Sequence, residues 1–299
     1  MPRFLVATRE GLHRFDDQGR PGEVQHLGRS VTAVAPARSD LWTVVDGSQI
    51  WHGAGTEWRH VADLDRSRAT CLASIDEDVF VGTSEARLFR IAGETLEPVS
   101  AFDGAEGRST WYTPWGGPPD TRSIANWDYD MYVNVHVGGI LRSRDRGETW
   151  TPTIDVDADV HQVTTAEGLV LAACAGGLAA SVDRGATWSF RTEGLEARYS
   201  RAVAVYGEAV LVSSSNGPRG GRAAVYRADR AGGTFERCLA GPGWFDDNID
   251  TYCLDALPDG SFAAFGTSDG RVYASADAGS TWDELASGLP PVQRVLVMP

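Results

Sequence analysis

The sequence predicts an all-β protein that folds as a single seven-bladed β-propeller, with the ring closed by the C-terminal strand joining the first blade. Three observations predict it. An eight-residue motif occurs three times, similar units recur at about the length of one blade, and the apolar runs fit seven units if the last run completes the first. A fixed repeat of about 20–50 residues is typical of solenoids and propellers.

The motif is Ser-x-Asp-x-Gly-x-Thr-Trp, and its copies begin at Ser143, Ser181 and Ser275. An Asp at this position can accept backbone N–H bonds within a tight turn, and a Gly can take the positive φ that such a turn requires. The Trp is large enough to fill space between neighbouring blades. We therefore predict a structural role for Asp145, Gly147, Trp150, Asp183, Gly185, Trp188, Asp277, Gly279 and Trp282.

The spacing of the motifs gives the repeat length. Trp150 and Trp188 are 38 residues apart, and Trp188 and Trp282 are 94 apart, which is two units of 47. A four-stranded blade takes about 40–50 residues. A degenerate copy, VYRADRAGGTF at 225–235, occupies the missing position, and weaker copies lie at 87–99, 49–61 and 11–24.

Short apolar runs precede each copy and predict the strands. Seven units have a paired run, but the first unit lacks a third, inner run, whereas VQRVLVMP at 292–299 has no unit of its own. Closing the ring with this last run hides two sheet edges. The predicted single domain covers 1–299, with blades at 3–28 plus 292–299, 29–64, 68–100, 121–153, 160–192, 200–239 and 249–286.

The octet resembles the Asp-box, also called the BNR repeat, of sialidases and related glycosyl-hydrolase-like propellers. The resemblance rests on the three motifs and on the repeat pattern of the whole chain. It implies that these turns are structural and lie on the face away from the ligand site. Fold-making motifs do not by themselves imply an activity.

Composition limits the classes of partner. The net charge is −14 and the 27 basic residues are all Arg, so the surface repels phosphate backbones and we expect no nucleic-acid partner. No apolar run is long enough to span a membrane, and the N-terminal apolar stretch is shorter than a secretory signal of about 7–15 residues. We expect a cytoplasmic protein. The four cysteines sit in apolar runs, which favours buried free thiols.

Three long connections are predicted to build the site, because binding residues concentrate on loops of rigid scaffolds. They are 100–121, 213–223 and 240–251, and the polar ends of the inner strands lie beside them. Exposed aromatics here could stack on a sugar, or could fold back as the core of their own loop. The predicted ligand-binding residues are Arg68, Trp111, Tyr112, Trp115, Arg122, His136, His161, Arg201, Arg222, Trp244, Asn248 and Asp250.

Catalytic residues are weakly indicated. Asp159, Asp246 and Asp250 are candidates for the carboxylate pair that a glycosidase needs, but the Arg-Ile-Pro element of sialidases is absent and none of that family's catalytic residues transfers by motif. The related xyloglucanases use a cleft between two propellers.

DVDAD at 155–159 matches a calcium loop only at its first positions, so we expect no metal and no cofactor.

Two functions are therefore open. One is a propeller that binds a small polar or anionic, sugar-like ligand at the channel mouth opposite the octets, with or without hydrolysis. The other is a non-catalytic propeller that uses the same face for a protein partner, as Asp-box assembly factors do. A pocket in which Arg, His, Asp and aromatic residues converge favours the first function, and a broad apolar face favours the second.

Overall fold

The computed structural model describes residues 3–55 and 57–299. Seven β-sheets follow one another along the chain, which confirms the all-β, seven-bladed propeller. The inner strands of successive blades contact each other in a complete ring. Helical structure in the described residues is limited to single turns, at α1 (Ser100–Asp103), Arg108–Thr110 and Val156–Ala158. No described helix is both long enough and apolar enough to cross a membrane.

The first blade joins the two ends of the described chain. Its inner strand is β28 (Val292–Met298), followed outward by β1 (Arg3–Thr8) and β2 (Gly11–Asp16). β1 pairs antiparallel with β28 along its whole length. Bridges from β2 to Pro21 and Gln25 take the place of a fourth strand. The predicted ring closure is therefore confirmed.

Blades two to six are four-stranded antiparallel meanders, with the first strand of each innermost. Their strands are β3 (Val31–Ala37), β4 (Asp40–Val45), β5 (Gln49–Ala54), β6 (Glu57–Asp63), β7 (Ala69–Ile75), β8 (Asp78–Thr83), β9 (Arg87–Ala92), β10 (Thr95–Pro98), β11 (Thr121–Trp127), β12 (Asp130–Val135), β13 (Gly139–Ser143), β14 (Thr151–Pro152), β15 (Val160–Ala166), β16 (Leu169–Cys174), β17 (Gly177–Ser181), β18 (Ser189–Arg191), β19 (Tyr199–Tyr206), β20 (Ala209–Ser215), β21 (Ala224–Asp229) and β22 (Glu236–Arg237).

The seventh blade differs from the others at both edges. It consists of β24 (Leu254–Ala256), β25 (Ala263–Gly266), β26 (Val272–Ser275) and β27 (Thr281–Ala286). Its inner strand is only three residues long, and a short fifth strand, β23 (Leu239–Ala240), pairs parallel with β27 at the outer edge. The chain before β24 is diverted into the channel, as described below.

The core lies between the blades. Strands such as β16 and β20 are buried almost throughout because each blade packs against a neighbour on both faces. Aromatic side chains, among them Tyr132, Tyr206 and Tyr273, are fully buried. The four cysteines are also buried and form no disulfide, which confirms that prediction.

The inner strands of the first six blades share a β-bulge close to their first residue. A bulge leaves an extra residue unpaired and re-aims its side chain. The extra residues, blade by blade, are Gln293, Thr32, Thr70, Arg122, His161 and the pair Arg201–Ala202. The bulges therefore place a ring of mostly polar side chains at one level of the channel.

Candidate functional site

A cavity of about 600 Å³ opens at the end of the channel where the long connections meet. This volume is in the usual range for a small-molecule site. Six arginines and three aspartates line it: Arg9, Arg68, Arg122, Arg201, Arg219, Arg294, Asp120, Asp247 and Asp250. The mouth is thus locally basic in a chain whose net charge is −14.

The aspartates of the mouth are already engaged. Asp120 Oδ2 lies 3.2 Å from Arg68 Nη2, and Asp250 Oδ1 lies 2.9 Å from Arg201 Nη1. Asp247 accepts a 2.6 Å hydrogen bond from Ser268. Asp250 lies within the mouth, and its side chain is 56% exposed there. Enclosure acts to raise the pKa of this carboxyl, but Arg201 and the Thr251 N–H outweigh it and hold the pKa below its usual range.

Two arginines of the mouth have donors to spare. Arg122 forms no ion pair or hydrogen bond with any described residue, and burial together with the charge of Arg201 lowers its pKa. Arg294 is only 8% exposed, and its Nε and Nη1 have no partner within the described structure. Its guanidinium lies 3.7 Å from the ring centroid of Tyr252. The nearby carboxylates Asp120 and Asp250 act on Arg122 in the opposite direction and act to raise its pKa.

Tyr252 crosses the channel and forms the floor of the mouth. Its phenol oxygen accepts a 3.0 Å hydrogen bond from the Ile124 N–H of the fourth blade, and its own N–H donates to Gln162 Oε1 at 2.8 Å. Burial raises the pKa of Tyr252 to about 12. Below it lies a second cavity of about 460 Å³, which Asp255 lines. Because Asp250–Cys253 cross the channel, the inner strand of the seventh blade starts late.

A second cluster, formed by His136, Asp159 and His161, lies where the fourth and fifth blades meet. His136 Nε2 is 3.1 Å and His161 Nε2 is 3.6 Å from the same oxygen, Asp159 Oδ1. Both imidazoles are buried. Burial, together with the charges of Arg122 and Arg201, lowers the pKa of His161 to about 3 despite the opposing effect of Asp159.

The backbone around this cluster is unusual. Asp159 and Val137, which follows His136, both have positive φ, at 48° and 45°. Such a conformation is unfavourable for a β-branched residue and tends to persist where the surrounding structure enforces it.

The aromatics of the 100–121 connection divide between two roles. Trp111 packs inward against Phe102, with the Arg108 guanidinium 5.0 Å from its ring. Tyr112 donates to Asp157 at 3.2 Å and stays half exposed. Trp115 is 70% exposed and lies over His136, with ring centroids 5.1 Å apart. Part of the connection is therefore its own small core, and part is an exposed rim beside the histidines.

Other predicted site residues lie outside the mouth cavity. Trp244 is held between Arg222 and Arg237, whose guanidinium carbons are 4.4 and 4.1 Å from its ring centroid. Glu196 binds both arginines, so this is a separate surface cluster. Asp246 does not line the cavity, and its neighbour Asp247 does.

Asn248 lines the mouth, and its side-chain amide holds the neighbouring connection in place. Its oxygen accepts from Ser215, and its nitrogen donates to the carbonyls of Gly217 and Pro218. It therefore fixes the 213–223 connection against the mouth. In the segment 155–159, Asp155 caps the Val156–Ala158 turn, Asp157 binds Tyr112 and Asp159 faces the histidines.

The three octets share the hydrogen bonds of their Ser, Asp, Gly and Thr residues, whereas the Trp indole donates to the Gly carbonyl only in the first and third. In the second, Thr187 donates its N–H to Asp183 Oδ1 at 2.8 Å and its hydroxyl to Oδ2 at 2.6 Å, while the Gly185 N–H donates to Ser181. The equivalent glycines have φ of 94°, 87° and 81°. Since adjacent strands are antiparallel, these turns lie at the end of the propeller opposite the mouth.

Sequence reasoning missed Arg294, Gln293 and Asp255. Arg294 and Gln293 lie in the closing strand, whose apolar pattern predicts a buried strand and says nothing of its polar side chains. The signal that could have found Gln293 is shared by the inner strands of the first five blades, whose second residue is polar and lies at the bulge. Asp255 lies within a short apolar run and carries no comparable signal.

Comparison with known proteins identifies a fold and no family. No family model matches the chain, and no curated protein matches its sequence. A GH74 xyloglucanase from Xanthomonas campestris is similar in structure at 17% identity and a TM-score of 0.69, over 95% of this chain and 52% of that one. The present chain thus spans about half of the xyloglucanase.

Two further similar structures are of other kinds. YCF48 bound to D1 peptide matches at 11% identity and a TM-score of 0.61, over 94% of this chain and 84% of that one. BamB from Moraxella catarrhalis matches at 15% identity and a TM-score of 0.58, over 96% and 83% of the two chains. At these identities the likeness shows the propeller fold alone.

Proposed function

We propose that the protein binds a small anionic, sugar-acid-like molecule in the mouth of its channel. The observation that carries the proposal is Arg122, a largely enclosed guanidinium without an ion-pair or hydrogen-bond partner among the described residues. Arg forks are well suited to carboxylates because two parallel N–H groups match the two oxygens. Arg294 also lines this cavity, as it does the second cavity below Tyr252.

The proposal is for binding rather than glycoside hydrolysis. Hydrolysis needs two carboxyl groups on either side of the bond, one of them with a raised pKa. Asp120 and Asp250 are paired with arginines, and the pKa of Asp250 is lowered rather than raised. The hydroxyl groups of a sugar acid would instead meet Thr32, Thr70 and the remaining polar surface of the mouth.

A thermal-shift and calorimetric titration with D-glucuronate tests the proposal. D-glucose provides the control for the sugar without the charge, and acetate for the charge without the sugar. Binding should require both features, so glucuronate should raise the melting temperature more than either control. Equal, negligible shifts from all three would count against a site for sugar acids.

Arg122→Met should separate binding from folding. The substitution removes a half-buried charge together with its attraction to Asp120 and Asp250, and since these effects oppose each other we expect little change in the stability of the ligand-free protein. The loss of a charged partner should weaken glucuronate binding at least tenfold, since such losses cost about 2–5 kcal/mol at buried sites. Arg38→Met, at an exposed Arg38–Glu77 pair, is the matched control and should bind normally. Unchanged affinity in Arg122→Met would overturn the assignment.

The exposed rim supports a second candidate function, binding of a peptide or protein partner. Trp115 and Tyr112 are large exposed aromatics beside a basic cavity, a combination that suits an acidic peptide with an apolar side chain. Short acidic peptides in the same screen distinguish the two. Peptide binding that Trp115→Ala removes, with no effect of glucuronate, would favour the partner.

A further inference from the structure

The cluster of His136, Asp159 and His161 has the composition and spacing of a metal site. One ligand atom from each residue can be chosen so that all three lie within 4.8 Å of one another. The two nitrogen–oxygen distances are 3.1 and 3.6 Å. Ligand atoms about 2.0–2.1 Å from a tetrahedral zinc ion are about 3.3 Å apart, so the observed distances fit with small side-chain adjustments.

His161 is oriented as a metal-binding histidine. Its Nδ1 lies 2.7 Å from the carbonyl oxygen of Ser200, which can only accept, so Nδ1 carries the proton. The other nitrogen, Nε2, therefore presents its lone pair to the cluster. A histidine that binds metal usually donates its second ring N–H to a carbonyl or carboxylate in this way.

The same nitrogen has no other use in the fold. His161 is fully buried, and neither its Nε2 nor the facing Asp159 Oδ1 has a well-formed hydrogen bond in the described structure. Buried polar atoms without a partner are few in folded proteins, and each calls for an explanation such as an ion or a ligand. Two of them pointing at the same small volume indicate that something belongs between them.

We propose that His136 Nε2, Asp159 Oδ1 and His161 Nε2 bind one divalent cation of the zinc class. Two imidazoles and one carboxylate suit zinc and similar transition ions, whereas calcium and magnesium prefer oxygen ligands. Three protein ligands leave a coordination position open. For its Nε2 to bind the ion, His136 must carry its proton on Nδ1.

Nearby charges limit the affinity. The positive charges of Arg122 and Arg201 lie close enough to act on this cluster and would repel a bound cation. Asp159 is the only carboxylate among the three proposed ligands. We therefore expect binding weaker than that of a closed structural zinc site. The site lies under Trp115 and beside Tyr199, whose ring centroid is 4.8 Å from that of His161, so the cation is sheltered from the surface.

The alternative is an internal ion pair, in which His136 donates to Asp159 and no metal is bound. The two arrangements differ in what zinc does to the protein. An ion pair gives no stoichiometric zinc binding and no dependence on His161. A metal site gives one bound ion per chain and a higher melting temperature, because an ion that binds only the folded state stabilises it.

The experiment uses untagged, metal-free protein. It is titrated with zinc chloride by calorimetry, and with cobalt(II) to record the visible ligand-field absorption of the bound ion. We expect one site per chain and cobalt bands of low-coordinate geometry. His161→Gln and Asp159→Asn should each weaken zinc binding by more than the 10–100-fold that loss of a supporting residue costs. Absence of stoichiometric zinc binding to the wild type would overturn the proposal.

Two controls keep the result interpretable. His60→Gln removes a surface histidine that pairs with Asp63 and should leave the titration unchanged. If His161→Gln fails to fold, His136→Gln, whose ring lies nearer the exposed rim, provides the same test. Zinc binding that survives both His136→Gln and Asp159→Asn would place the ion elsewhere and contradict the assignment. Glucuronate is left out, so failure here does not bear on the sugar-acid site.

Discussion

Several polar side chains around the channel have atoms without hydrogen-bond partners among the described residues. A buried ion pair elsewhere, Arg142 with Asp130, is fully bonded and forms two hydrogen bonds of 2.9 and 2.7 Å. Around the channel, Arg122, Arg294 and His161 keep donor or acceptor atoms without partners in the described structure. Proteins keep such groups where function compensates their cost.

Asp255 provides a prediction at this scale. Burial raises its pKa to about 6, although the Val297 N–H donates to its carboxyl at 2.8 Å. The folded protein therefore holds a proton that the unfolded chain releases near pH 4, so this residue lowers stability as pH rises from about 4 to 6. Asp255→Asn keeps an acceptor for Val297 and removes the charge. The variant should be more stable than the wild type above pH 6.

The expected gain for Asp255→Asn is modest. A pKa shift of about two units corresponds to about 3 kcal/mol, and water in the channel together with the lost attraction to Arg294 should reduce the gain to about 1–2 kcal/mol. Urea unfolding near pH 4 and near pH 7.5 measures it. The two proteins should have equal stability at the lower pH. A gain of the same size at both values would show that charge is not the cause.

At the scale of elements, the octet hairpins are the clearest case of sequence specifying structure. Hydrogen bonds from the Thr187 hydroxyl and N–H, and from Ser181, lower the pKa of Asp183 to about 2. A lowered pKa means that the ionised turn stabilises the fold above about pH 4, and that this stabilisation is lost as pH falls toward 2. The turn contributes through its bonds and not through burial.

Asp183→Ala should therefore lower the urea midpoint at pH 7, and the difference from wild type should shrink as the pH falls from about 4 toward 2. Asp183→Asn is the matched control, because its amide oxygen can still accept from the Thr187 N–H and its midpoint should fall less. An equal midpoint for Asp183→Ala and wild type at pH 7 would contradict a structural role for the octet.

The strands were predictable from sequence because the blades repeat. Two of the short apolar runs, LVLAA at 169–173 and AVLVS at 209–213, correspond to β16 and β20 with small changes of boundary, and the run at 292–299 corresponds to β28. The short β24 was not predictable in the same way. Its neighbours Asp250–Cys253 leave the blade because Tyr252 bonds to the fourth blade, 128 residues away in sequence.

The site was predictable only in part. Arg68, Arg122, Arg201 and Asp250 were identified because they lie at polar ends of inner runs, and they all line the mouth. Loop length also points to Arg222 and Trp244, but these two side chains lie in a surface cluster around Glu196. Loop length indicates where function can lie, whereas the direction of a side chain depends on partners that are distant in sequence.

At the scale of the whole molecule, the ring separates two electrostatic environments. The net charge of −14 is distributed over a protein whose channel mouth holds six arginines against three aspartates. Arg201 and Arg294 are the more buried of these arginines, so solvent screens their charges less than those of the exposed Arg9, Arg68 and Arg219. The positive groups are therefore concentrated at the centre of a protein whose net charge is strongly negative.

Ring closure is what holds this arrangement together, and removing it gives the last prediction. Deleting 292–299 removes β28 with four buried apolar side chains, Val292, Val295, Leu296 and Val297. At about 1.5–3 kcal/mol each, their loss is comparable with the whole stability of a domain, about 5–15 kcal/mol. It also exposes the edge of β1 and removes Arg294 from the mouth. We expect no cooperative melt at the wild-type temperature and a tendency to aggregate.

Deleting only Pro299 is the matched control and should melt as the wild type does. A synthetic peptide of residues 292–298, added to the longer deletion, should restore a folded species, because it can pair with β1 as the native strand does. Circular dichroism melts and size-exclusion chromatography measure both effects. A truncated chain that melts cooperatively within a few degrees of the full chain would mean that the other six blades hold the ring without this strand.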